Sequence, residues 1–171
     1  VALSQARERT YEMVKETSIA ISKGLGQLSS YDEKRAERIK KLEEKIDKYE
    51  DVINSYLVKL SAQDTSSDDS LEASKLLHLI GDFERLSDHA TNLVESAEEM
   101  HAKKIRFTQA AQDELNVMYS AISEIMELTR SAFVDDNMVD AALVEPLEQV
   151  VDELRNAIKM QHIIRLQGGR C

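Results

Sequence analysis

The chain has 171 residues, 5 glycines, one proline, one cysteine and a formal net charge of −10. That length supports one ordinary domain or two small ones, and so few turn residues exclude a sheet-rich fold. The acidity excludes a nucleic-acid surface, a lone cysteine excludes an internal disulfide framework and fits a reducing compartment, and no apolar run is long enough to span a membrane.

Apolar residues recur at helical spacing nearly throughout, over a composition rich in strong helix formers. Five long helices are expected. The first covers about 2–28 and ends near Gly24 and Gly26. The second covers about 30–62, with Ser30 and Glu33 reading as a capping box. A polar stretch of Ser and Asp at 63–70 forms a turn. The third helix covers about 71–102. Thr108 caps the fourth, which ends near Val134. Asp135, Asp136 and Asn137 make a short turn before the fifth at about 138–166, kinked or re-started at Pro146 and closed by Gly168 and Gly169. Long helices joined by short loops lie antiparallel, as a bundle.

A shift of 105 residues aligns the chain with itself. Ala6 meets Ala111, Met13 meets Met118 and Ser18 meets Ser123. Leu42 meets Leu147, Glu43 meets Glu148, Asp47 meets Asp152 and Ile53 meets Ile158. Helices one and two recur as four and five, so the unit is a three-helix bundle. The fold class expected is all-α: one complete antiparallel, spectrin-like three-helix bundle at 1–104, and at 105–171 a second that lacks its third helix. The opening Val1, Ala2, Leu3 and the missing third helix lead us to expect a piece of a longer protein. The bare apolar face of the second bundle should seek cover, and a homodimer would supply it.

The second helix carries an apolar stripe of Leu42, Ile46, Tyr49, Ile53, Leu57 and Leu60. The third carries Leu76, Ile80, Phe83, Ala90 and Val94 among others. Both are core seams. Glu43 and Asp47 flank one seam and Glu84 and Asp88 the other, each a Glu-x-x-x-Asp pair on one helix face. With a turn near 65 or 66, residues whose numbers sum to 131 lie side by side, so Asp47 faces Glu84 and Glu43 faces Asp88. Four carboxylates would then share one level of one groove and need protons or a cation to neutralise them. Oxygen ligands on facing helices suit hard or borderline cations. Glu148 and Asp152 are the repeat's copy of the first pair. From the pattern alone, a metal groove and a solvated acidic surface both stand. His89 points to the opposite flank from Glu84 and Asp88, and His78, His101 and His162 lack ligand spacing.

The run Ile80-Gly81-Asp82-Phe83-Glu84-Arg85-Leu86-Ser87-Asp88-His89-Ala90-Thr91-Asn92-Leu93 resembles the signature of PhoU proteins, D-x-E-R-[IL]-x-D-H-A-x-N-[ILV] on the third helix of a three-helix bundle. Leu42 to Asp47 is similar to that family's second-helix motif, and Leu147 to Asp152 to its second copy. The tail from His162 to Leu166, followed by Gly168, Gly169, Arg170 and Cys171, is similar to the segment before the sixth helix in PhoU-like domains of sodium/phosphate cotransporters. The resemblance implies two three-helix bundles in tandem. It implies metal clusters (Fe, Zn, Mn or Mg) held by Glu43, Asp47, Glu84 and Asp88, with Glu148 and Asp152 as half of a second site.

It also implies control of phosphate uptake without catalysis, through docking on the membrane domain of a phosphate transporter or on a phosphate-sensing kinase. The setting expected is cytoplasmic, as a free regulator or as the cytoplasmic tail of an inner-membrane symporter. Two other functions compete. A plain helical scaffold would bind no metal. A di-metal carboxylate enzyme would use Glu-x-x-His pairs, and neither Glu84 with Ser87 nor Glu148 with Val151 makes one.

Overall fold

The computed structural model describes residues 2–62 and 66–170. Val1, Cys171 and positions 63–65 of the expected polar turn lie outside the described residues. Among the described residues the secondary structure is helical: α1 (Ala2–Ser29), α2 (Glu33–Ser61), α3 (Ser67–Ala102), α4 (Gln109–Val134) and α5 (Met138–Gln167). The chain forms two compact units, Val1–Glu98 and Glu99–Cys171. The division falls within the last turns of α3 rather than at the expected position 104.

The first unit is built by α1, α2 and most of α3. Met13, Val14 and Ala20 of α1 are buried with Ile39, Ile46, Ile53 and Leu57 of α2 and with Leu76, Ile80, Phe83, Ala90 and Val94 of α3. These positions repeat at helical spacing, so each helix turns one continuous apolar stripe inward. Small residues bring α1 close to α3. A Cβ on Gly24 would stand 3.2 Å from the carbonyl oxygen of Ala90. Thr10 and Thr17 are buried, and each donates its hydroxyl to the carbonyl four residues back, at 2.9 Å. The backbone thereby satisfies polar groups that water cannot reach.

The corner between α1 and α2 differs from the expected capping box. Ser30 is taken up by the end of α1, its N–H donating to the Gly26 carbonyl at 3.1 Å. Asp32 caps α2 instead, accepting the Arg35 N–H at 2.7 Å. The N–H of Asp32 donates to Oε1 of Gln27 at 2.8 Å, and Gln27 is only 1% exposed. The third helix begins at Ser67, one turn before the expected start. Ser66 Oγ accepts the Asp69 N–H at 3.2 Å, and Asp68 and Asp69 occupy the first turn, where carboxylates meet the positive end of the helix dipole.

The second unit pairs α4 with α5. Thr108 caps α4 as expected, and Asn137 Oδ1 accepts the N–H groups of Val139 and Asp140 to start α5. Helix α5 runs unbroken through Pro146, without the restart considered from sequence, and closes at Gly168 with Gly169 in the left-handed region (φ +62°). Arg165 forks onto both carboxylate oxygens of Glu114 at 2.5 and 2.8 Å, tying the end of α5 to the start of α4. Among the described residues of these two helices only Ala121 and Arg165 are buried.

Candidate metal groove

The groove between α2 and α3 holds the four acids singled out by sequence. Glu43 and Glu84 are half-buried, and Asp47 and Asp88 are exposed beside them. Their electrostatics place them at one level. Burial raises the Glu43 carboxyl above the ordinary carboxylate range, and the charges of Asp88 and then Asp47 raise it further. Burial likewise raises Glu84, followed by Asp88, Asp47, Glu50 and Glu43. Each glutamate thus senses acids on the opposite helix, as the sum of 131 requires. The register is a product of stripe and loop together: Ile46 and Ile53 on α2 and Ile80 and Phe83 on α3 bury the seam, and the acids ride its flank.

A fifth acid belongs to the same face. Glu50 lies seven residues after Glu43, two helical turns on, and its carboxyl is raised by burial, then by Asp51 and Asp47. The same sum places it opposite Gly81, where a Cβ would meet nothing within 4 Å. Sequence reading missed Glu50 because the Glu-x-x-x-Asp spacing does not include it. The i+7 spacing from Glu43 was the available signal.

Among the described residues these acids carry no counter-charge, and neither do Glu44, Asp51 and Glu95 on the same two helices. Several other carboxylates on the first unit are compensated: Glu16 by Lys45 at 2.6 Å, Glu98 by Lys40 at 2.9 Å, Glu72 by Arg7 at 3.6 Å, Glu12 by Arg9 at 2.9 Å and Asp82 by Arg85 at 2.8 Å. Among the described residues, Glu43, Asp47, Glu50, Glu84 and Asp88 take part in no ion pair and accept no side-chain hydrogen bond. Also among the described residues, no three Asp, Glu, His or Cys side chains close round one point as a bound metal would require. Like charges with no cation between them splay apart. The donor set, all carboxylate oxygen, fits hard and borderline cations.

The second-copy acids stand differently. Glu148 is exposed, and Asp152 is engaged by Arg155 at 2.8 Å. Arg155 is the repeat partner of Glu50, so the position that adds an acid in the first unit adds a cation in the second. His89 is exposed and lines a depression with Asp82, Arg85 and Leu86, away from the acids; His78, His101 and His162 are exposed too. No helix among the described residues is long and apolar enough to cross a membrane.

No curated protein and no solved structure matches the chain. The family model described as "PhoU domain" matches residues 10–97, which takes in α1 from Thr10 onward, α2, and α3 as far as Ala97, with the groove and the Asp82 to Asn92 run. Such a domain points to a regulatory role in phosphate homeostasis, in a family that is generally non-catalytic. Over half its length, and through the residues that build its acidic groove, the chain belongs to the PhoU family.

Proposed function

We propose that this chain is a regulatory domain of phosphate transport that takes up a divalent or transition metal ion (Fe, Zn, Mn or Mg) in the α2–α3 groove and docks on a transporter membrane domain or a phosphate-sensing kinase. One observation carries the metal reading: Glu43 and Glu84 are raised by burial and by acids of the opposite helix, and Glu43, Asp47, Glu84 and Asp88 have no cation of the protein's own among the described residues. A bound cation would relieve that repulsion and tie α2 to α3 from outside the core. Glu50 extends the donor set by one turn. The Glu148 and Asp152 pair is the weaker site, because Arg155 already supplies positive charge there.

The regulatory reading rests on family membership and needs no catalytic group. On that reading the domain works on the cytoplasmic side, as a free regulator or as part of a sodium/phosphate symporter. A second copy is a further candidate partner, since α4 and α5 bury little of their apolar surface, and sedimentation over a dilution series reads it. The test of the metal site is metal content by plasma mass spectrometry. The purified chain is compared with the Glu43→Ala, Asp47→Ala, Glu84→Ala, Asp88→Ala variant after incubation with Mn, Fe and Zn. Near-stoichiometric metal in the parent and none in the variant supports the site. Negligible metal in both leaves the acids as solvated surface and the chain as a metal-free scaffold.

A further inference from the structure

The two units carry the same repeat but finish one helix face differently. On α2, positions 34, 38, 41, 45, 52, 56 and 59 fall in one outward arc of about 60° at 100° per residue. They are Lys34, Arg38, Lys41, Lys45, Val52, Tyr56 and Lys59, a mainly basic stripe. Their repeat partners on α5 are Val139, Leu143, Pro146, Val150, Ala157, Gln161 and Ile164, a stripe that is apolar but for Gln161. It is open to solvent: Val139 is 73% exposed, Leu143 49%, Val150 46% and Ile164 42%, with Pro146 and Ala157 exposed too.

The change continues across the helix pair. In the first unit, Lys45 bonds Glu16 at 2.6 Å and Tyr49 donates to Glu12 at 3.1 Å, so the outer seam of α1 and α2 is polar. The repeat puts Val150 opposite Ala121 and Leu154 opposite Val117 in the second unit, and Val117 is exposed. This side is not the one that α3 covers in the first unit. The acids Glu43, Asp47 and Glu50 mark the α3 side of α2, and they lie on the other side of Ile46 from Lys45 and Tyr49. A third helix packed on α4 and α5 as α3 packs on α1 and α2 would therefore leave the α5 stripe bare.

The rim selects the occupant. Asp113 and Glu124 of α4 and Glu153 of α5 flank the stripe. The cations Arg155 and Lys159 lie on the far side of α5, and Arg165 is buried against Glu114. An apolar strip about 38 Å long, at 1.5 Å per residue, whose charged edge residues are carboxylates, is complementary to an amphipathic helix with basic flanks. A second copy would oppose acid to acid. We propose that the outer face of α5 is the docking site of an amphipathic, basic-flanked helix of a partner protein. This proposal does not rest on the metal groove.

The test uses the full chain in chelator, so that metal plays no part. A fluorescent helical peptide of about 18 residues, with Leu at i, i+3, i+4 and i+7 and Lys on both flanks, is titrated by anisotropy. A Leu/Glu peptide of the same pattern is titrated beside it. The triple variant Leu143→Gln, Val150→Gln, Ile164→Gln keeps the net charge and replaces only exposed side chains; Val139→Gln serves as a milder variant should the triple melt early. Binding of the Leu/Lys peptide that weakens about tenfold or more in the triple variant and measurably in Val139→Gln, with no binding of the Leu/Glu peptide, supports the site. Equal binding to parent and variants, which is charge attraction only, overturns it. A homodimer that dissolves in the triple variant while the peptide fails to bind the parent also overturns it and assigns the face to a second copy.

Discussion

Glu43 on α2 faces Asp88 on α3 across the groove, and burial together with that opposing charge raises the Glu43 carboxyl. Glu84 is raised in the same way, by burial and then by Asp88 and Asp47. A carboxyl raised in the folded state holds its proton more tightly there than in the unfolded chain. The stability it contributes is present below the unfolded value of about 4.3 and is lost as pH climbs through the folded one. In the metal-free protein these glutamates therefore work against folding near neutral pH. Glu43→Gln and Glu84→Gln should each raise metal-free stability at pH 7 by about 0.5 kcal/mol and leave it nearly unchanged at pH 4. Urea unfolding in chelator at the two pH values measures this, and a lower midpoint at pH 7 would contradict it.

Metal should reverse that order. A cation held at about one hundred times its dissociation constant adds about 2.7 kcal/mol to the parent. The same glutamine variants lose a ligand and should gain much less, so a variant more stable in chelator becomes the less stable one in metal. Thermal unfolding with and without Mn reads the crossing. Parallel shifts in parent and variants would show that the cation acts elsewhere.

Two glycines of the first unit should respond in opposite directions. Gly81→Ala adds a methyl where nothing lies within 4 Å, on a helix, and should stabilise by about 1 kcal/mol. Gly24→Ala gains the same helical preference but drives its methyl to 3.2 Å from a backbone oxygen that α3 holds in place. Overpacking of that kind costs about 1–3 kcal/mol, so the net change is a loss of up to about 2 kcal/mol. Denaturant midpoints for the two variants, side by side, decide it.

In the second unit the fork of Arg165 on Glu114 ties the ends of α4 and α5 together at a place largely shielded from water. Glu114→Gln should cost about 2 kcal/mol, within the range for hydrogen bonds to charged groups, and the effect should stay local. Hydrogen exchange should speed up in α4 and α5 and stay unchanged in α1 and α2. Equal loosening of both units would contradict the local assignment.

The parts of this molecule that repeat were legible in its sequence. Helical periodicity located five helices, Thr108 and the glycines at 168 and 169 were read as the caps they are, and the sum of 131 brought the Glu43 and Asp88 levels together. Local competition defeated the rest. Ser30 followed by Glu33 has the spacing of a capping box, yet α1 claims Ser30 for its own last turn and leaves Asp32 to start α2. The Ser and Asp residues at 67–70 suit a turn, but as the first residues of a helix they suit the dipole as well, and α3 takes them. Glu50 went unread because the Glu-x-x-x-Asp spacing passes over it, and the apolar stripe of α5 because it stands out only when the two copies are compared position by position.

The buried amide of Gln27 holds the backbone of Asp32 and so sets the residue at which α2 begins. Eleven residues later comes Glu43, and each residue of a helix turns its neighbours by about 100°. The corner therefore fixes where α2 starts, while the buried stripe of Ile39, Ile46 and Ile53 fixes which way it faces. A chain one residue longer there would have to take up the extra residue in the corner, because turning α2 by one residue would lift that stripe from the core along with the acids beside it. The geometry of the acidic groove is thus held in part by uncharged side chains that are no part of it.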